Sequence, residues 1–169
     1  MLKINITSFD FQKEFLIELK SSGINIEKSI TISDSLKISV VLTKEKEHII
    51  IAQGNVSGGV RLTCSRCLEE FNNQINNDFV AIFKDKKMMK KDDVETDVFP
   101  YENNVIDLYE LIRETIIMEV PMKPLCKNDC AGLCPVCGKN LKREKCNCHV
   151  VEDIINPFKD INIFNTDKK

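Results

Sequence analysis

The amino-acid sequence predicts an α+β fold: a mostly antiparallel β-sheet or barrel-like core over residues 1–124 with one amphipathic helix near 107–119, then a cysteine-rich module and tail over 125–169. Three observations carry this expectation. Apolar and polar residues alternate through the first half, the period of a sheet with one dry face. One later stretch switches to helical spacing. Six of the eight cysteines crowd into a short segment after Pro124. With 169 residues, 43% of them hydrophobic, and no tryptophan, the chain can bury one domain-sized core plus a small appendage that needs a staple or a metal.

Taken in order, the sets Leu2/Ile4/Ile6, Phe15/Ile17/Leu19, Ile24/Ile26, Ile30/Ile32 and Leu36/Ile38/Val40/Leu42 each alternate with polar neighbours. His48 to Val56 and Val60 to Cys64 continue the pattern, with Gly58-Gly59 suited to a tight turn or bulge between them. Asn76 to Phe83 supplies another strand. Residues 84–97 carry both charge signs and read as a solvated connector. After Pro100, Asp107 can cap a helix and Glu110 can complete a capping-box pair. Leu108, Leu111, Ile112, Thr115 and Ile116 then fall on one face. Pro121 and Pro124 end the helix and force an extended link to the cysteines.

The start of the chain lacks the unbroken apolar run and cleavage site of a secretory signal, and no stretch reaches the roughly 18 apolar residues of a membrane span. A cytoplasmic protein is the expectation, and in a reducing compartment eight cysteines are metal ligands or redox groups before they are disulfides. Zinc takes four nitrogen or sulfur ligands in a tetrahedron, supplied as two close pairs across a loop. Cys134 and Cys137, followed by Gly138, form one such pair, and Cys146 with Cys148 form the other. These four are the first choice for a structural zinc site. Cys126 or Cys130 can replace one of the second pair, and His149 offers a nitrogen. Cys64-Ser-Arg-Cys67 is a further half-site that can join Cys126 and Cys130 around a second ion. Packing of Cys64 and Cys67 beside the sheet is favoured, with Arg66 pointing outward, because only distant segments can complete that site. Cys134-Pro-Val-Cys137 also has the spacing of a dithiol oxidoreductase, but it lacks the strand-to-helix context that chemistry uses.

A net charge of −2 argues against nucleic-acid binding by the whole surface. Around the cysteines positive charge is in excess, which can balance a doubly negative tetrathiolate centre or meet phosphates. The candidate phosphate contacts are Arg61, Arg66, Lys139, Lys142, Arg143 and Lys145. The four-thiolate set is closed, no His-x-Glu precedes the Pro-Cys-x-x-Cys arrangement, and no phosphate-cradling glycine loop or Gly-x-Ser-x-Gly elbow is present. The chain is therefore not expected to be an enzyme.

The segment Cys64-Ser-Arg-Cys67-Leu-Glu-Glu-Phe71, Arg113-Glu114, Pro121-Met-Lys-Pro124-Leu-Cys126, Gly132-Leu-Cys134-Pro-Val-Cys137-Gly138 and Asn156-Pro157-Phe158 together resemble the YceD family of large-ribosomal-RNA accumulation proteins. The resemblance covers most of the chain, and its cysteine-rich stretch looks like the form found in some bacterial and plastid members. It implies a non-catalytic role in large-subunit ribosomal RNA accumulation, processing or ribosome assembly. The implied partner is ribosomal RNA or a ribosome-assembly protein, with no membrane and no small-molecule substrate. A thiol redox protein and a generic zinc-stabilised interaction module are the two rival readings.

Overall fold

The alternation in the first half is realised as an open sheet whose dry face is covered by a helix. The computed structural model describes residues 2–8, 11–20, 26, 30–90 and 98–148. The strands are β1 (Lys3–Asn5), β2 (Gln12–Lys20), β3 (Ile30–Lys46), β4 (Ile49–Thr63), β5 (Glu70–Asp85), β6 (Val98–Tyr101) and β7 (Val105–Asp107), followed by helix α1 (Tyr109–Glu119). Strands β2 to β6 form one sheet in chain order, antiparallel except for the parallel β5–β6 pair. Strands β1 and β7 make a separate antiparallel ribbon.

The barrel-like expectation is corrected: among the described residues β2 and β6 are edges that do not meet, so the sheet does not close. Closure is one way to bury an apolar face; here α1 and the β1–β7 ribbon do it instead. Leu36, Ile38, Val40 and Leu42 of β3, Ala52, Val56 and Val60 of β4, and Ile75 and Phe83 of β5 form one core with Ile4, Ile106, Leu108, Ile112 and Ile116.

Ile30/Ile32 and Leu36 to Leu42 belong to one long strand, and so do the two segments expected on either side of Gly58-Gly59. The chain does not turn there. The register of β3 against β4 shifts between Ile32 and Leu36, and Gly58 sits opposite that bulge. Its φ is +150°, and a Cβ would lie 2.4 Å from the Ser35 carbonyl oxygen, so only glycine permits the approach. The turn lies at Glu47 and His48, between β3 and β4.

Residues expected to form a loop from Lys84 are partly ordered as the end of β5 and one 3-10 turn, Lys86–Met88; residues 91–97 lie outside the described residues, as does Ile24. Two short strands, β6 and β7, precede the helix where the sequence suggested none. The expected helix face is buried as spaced: Leu108, Leu111, Ile112, Thr115 and Ile116 are all inside. Asp107 Oδ1 accepts from the Tyr109 amide at 3.0 Å, but Leu108 occupies the cap position and Glu110 pairs with Arg113 rather than closing a capping box. Thr115 can be buried because its hydroxyl donates to the Leu111 carbonyl at 2.7 Å. No helix is long and apolar enough to cross a membrane among the described residues.

Candidate metal centre

The antiparallel pairing of β4 with β5 ends at Thr63 and Glu70, so residues 64–69 must form the loop between them. The Cys64 amide donates to the Glu69 carbonyl at 2.9 Å and the Leu68 amide to the Cys64 carbonyl at 3.0 Å. Leu68 is left-handed, with φ +58°. The segment Cys134 to Lys139 repeats this frame. Leu133 bridges Asn140, the Cys134 amide donates to the Lys139 carbonyl at 2.8 Å, the Gly138 amide donates to the Cys134 carbonyl at 2.9 Å, and Gly138 has φ +72°. Both loops are knuckles that turn two sulfurs toward one point.

Each knuckle meets a second pair. Cys64, Cys67, Cys126 and Cys130 form one group, and Cys134, Cys137, Cys146 and Cys148 another; within each, all sulfurs lie within 4.8 Å of one another. In the first, Cys64 and Cys130 are 3.9 Å apart and Cys67 and Cys126 are 3.7 Å apart. A disulfide has an S–S bond of about 2.05 Å, whereas a tetrahedron with Zn–S of about 2.3 Å has S···S edges of about 3.8 Å. The spacing is that of ligands. Both groups could hold a metal ion.

The structure therefore brings together the four first-choice residues and places Cys126 and Cys130 in the other group. Cys64 and Cys67 are buried beside the sheet, as the packing expectation held, and also converge with Cys126 and Cys130. His149 and Asn156-Pro157-Phe158 lie outside the described residues. In the first group Cys126 is half-buried and the other three are buried; in the second only Cys134 is buried and Cys137 is exposed.

Electrostatics differ along each set. Backbone N–H groups of Cys126, Cys67 and Arg66 stabilise a Cys64 thiolate against the opposing effect of burial and pull its pKa down to about 6. The N–H groups of Cys137 and Val136 do the same for Cys134, also to about 6. Burial, then the neighbouring Cys130, Cys67 and Cys64 thiols, push Cys126 up to about 12. Cys148 is pushed to about 12 by Cys137 first and then by burial. Each group thus holds one thiol whose ionisation is eased, Cys64 or Cys134, beside others held protonated more tightly than usual, Cys126 and Cys148 foremost, which a bound cation would ionise.

Arg66 is exposed, as expected, yet its guanidinium is not free. Its Nη1 donates to the carbonyls of Asn128 at 3.3 Å and Cys130 at 3.1 Å. Glu69 is mostly covered and accepts from Lys142 Nζ at 3.2 Å and from Arg143 Nε. Lys142 Nζ also lies 4.0 Å from Cys126 Sγ. Of the other candidate phosphate contacts, Lys139 pairs with Glu144 at 3.4 Å and Arg61 with Glu70 at 3.9 Å, while Lys145 is exposed. Five of the six thus already have partners within the chain. The Glu69 clasp was not legible in the sequence, because nothing local signals which distant cation a glutamate will meet.

The family model described as large ribosomal RNA subunit accumulation protein YceD matches residues 52–161. An uncharacterised protein of Mycobacterium tuberculosis strain H37Rv is 29% identical over 101 residues, covering 59% of this chain and 49% of its own length. The large ribosomal RNA subunit accumulation protein YCED homolog 1, chloroplastic, of Arabidopsis thaliana is 26% identical over 140 residues, covering 67% of this chain and 43% of its own. An uncharacterised protein of Mycobacterium leprae is 29% identical over 113 residues, covering 66% and 50%. The chain spans about half the length of the curated relatives it matches. No solved structure matches it. Because the matched region includes most of β4, all of β5 and α1 and every cysteine, and amounts to more than half of the sequence, the chain belongs to the YceD family.

Proposed function

We propose that this chain is a non-catalytic cytoplasmic factor supporting large-subunit ribosomal RNA accumulation, through processing or ribosome assembly, and that zinc at Cys134, Cys137, Cys146 and Cys148 gives its C-terminal module a fixed shape. The observation that carries the metal part is the convergence of those four sulfurs on a knuckle frame. Four thiolates fill a tetrahedral ion's coordination and leave no position for substrate, so the site supports shape rather than catalysis. The ribosomal part is supported by the family and by the name of the Arabidopsis relative. Contact is with ribosomal RNA or an assembly protein. If RNA is touched directly, Lys145 and the outer faces of Lys139, Lys142, Arg143, Arg66 and Arg61 meet phosphates, and the affinity falls steeply with salt.

The test is a deletion strain of the source organism, scored for large-subunit precursor and mature RNA and complemented with the intact gene. An RNA profile indistinguishable from the parent's would remove the ribosomal reading. Filter binding of ribosomal RNA fragments at two salt concentrations separates direct contact from a protein partner.

One observation favours a rival. Cys134, held near 6 by backbone N–H groups, has the ionisation of a reactive thiol. A thiol redox protein would be isolated free of metal and would exchange with a small disulfide in stoichiometric amounts; the zinc protein would do neither.

A further inference from the structure

We propose that Cys64, Cys67, Cys126 and Cys130 hold a second divalent ion of the zinc class, and that this ion fastens the C-terminal cysteine module to the sheet. The proposal shares with the preceding reading only the assumption of zinc as the ion. It is independent of any ribosomal role.

Burial alone does not account for this group. A buried cysteine can act as a small hydrophobe, and Phe71 and Leu125 do pack around these sulfurs. Simple packing, however, places no demand on direction. Here two loops from distant parts of the chain aim all four sulfurs at one another, with separations of 3.7 Å and 3.9 Å where zinc requires about 3.8 Å. The Cys64 loop also copies the hydrogen bonds of the Cys134 knuckle while placing Leu68, not glycine, at the left-handed position. A left-handed leucine costs about 1–2 kcal/mol, and such strain persists where surrounding interactions over-determine it. An ion held by Cys64 and Cys67 is an interaction of that kind.

A zinc tetrathiolate carries two negative charges, which a partly buried site must offset. The surroundings are arranged for this. Lys142 Nζ sits 4.0 Å from Cys126 Sγ, and Arg66 donates to the Cys130 and Asn128 carbonyls, orienting the loop that bears Cys126 and Cys130. The ligands divide evenly between the β4–β5 loop and the segment after Pro124. Among the described residues, the polar contacts that link those two segments without an ion are the Ser65 amide on the Pro124 carbonyl, at 2.8 Å, and those of Arg66 and Glu69, beside the packing of Phe71 and Leu125. Zinc at Cys134 cannot make this connection, because all four of its ligands lie within the module. On loading, each thiol still protonated gives its proton to water as the metal enters.

Native mass spectrometry of the full chain, purified with zinc present, should show two ions. The double variant Cys137→Ser/Cys148→Ser should retain one and keep trypsin cleavage after Lys127 slow. The double variant Cys67→Ser/Cys126→Ser should also retain one, with cleavage there at least tenfold faster. A single ion lost from Cys137→Ser/Cys148→Ser would overturn this proposal and leave the tail site standing; a single ion that survives in that variant would overturn the tail site and leave this one. A mass corresponding to two disulfides and one ion, or two ions with cleavage unchanged in Cys67→Ser/Cys126→Ser, would also overturn it. Should Cys67→Ser/Cys126→Ser fail to fold, cadmium-113 NMR of the wild-type chain decides. Two tetrathiolate resonances support the second centre and one refutes it.

Discussion

Replacing Glu69 by glutamine keeps the side chain's shape and removes its charge. Glu69 receives both Lys142 and Arg143 from the C-terminal module, and its side chain is only 19% exposed, against 41% and 73% for its partners. Ordinary exposed ion pairs contribute about 0.2–1 kcal/mol each, and hydrogen bonds to a charged group about 1.5–3 kcal/mol before screening. With one side of the clasp covered and the other wet, the pair of contacts together should contribute about 1–2 kcal/mol. At about 1.4 kcal/mol per tenfold, the undocked population should rise roughly 5- to 30-fold in the zinc-loaded protein. Trypsin cleavage after Lys142 and Arg143, measured where opening and closing are fast relative to cutting, reads that population. Glu70→Gln is the control: among the described residues it pairs with Arg61 at 3.9 Å and its side chain is 68% exposed, so its effect should be within about 0.5 kcal/mol. The difference between wild type and Glu69→Gln should shrink in high salt. It should shrink with acid too. Hydrogen bonding from Lys142, with the charge of Arg143, holds the Glu69 carboxyl below its ordinary value against the effect of burial. Its contribution is therefore complete above the unfolded-state pKa and disappears as pH falls through the lower folded-state value. Equal cleavage rates for Glu69→Gln and Glu70→Gln would refute the clasp.

The left-handed glycines of the module should respond unequally to alanine. Gly138 has φ +72° with nothing within 4 Å of an added Cβ, so Gly138→Ala should cost about 1 kcal/mol from backbone alone. Gly132 has φ +74° and its Cβ would lie 3.2 Å from the Arg66 carbonyl oxygen, so Gly132→Ala should cost more. Chelator competition for bound zinc gives the order, and the reverse order would show that the module does not seat against Arg66. In the core, Ile116→Ala, at a fully buried position, should lower stability by about 3 kcal/mol. Met118→Ala, two residues on but 83% exposed, should change the urea midpoint by less than about 0.5 kcal/mol equivalent.

Period and residue type made much of the chain legible. Alternation at Leu36 to Leu42 and helical spacing at Leu108 to Ile116 mark buried faces, because each element has one period and one dry side. Proline at 121 and 124 marked the end of the helix for an equally local reason. Short β6 and β7 escaped because three or four residues carry too little pattern to stand out. Gly58-Gly59 left a turn and a bulge both open because glycine tolerates a reversal and a close strand approach alike, and only the opposing register shift and Ser35 carbonyl decide for the bulge.

By itself, then, the sequence determined where apolar faces lie, where the helix ends, and which thiols form close pairs, since all of these depend on neighbours within a few positions. Tertiary structure alone decided that the sheet stays open, that Cys126 and Cys130 join Cys64 and Cys67, and that Glu69 takes Lys142 and Arg143. Those outcomes depend on which distant segments the antiparallel pairing of β4 and β5 carries to one end of the sheet. A partner chosen through space leaves no mark in the local spacing of either residue.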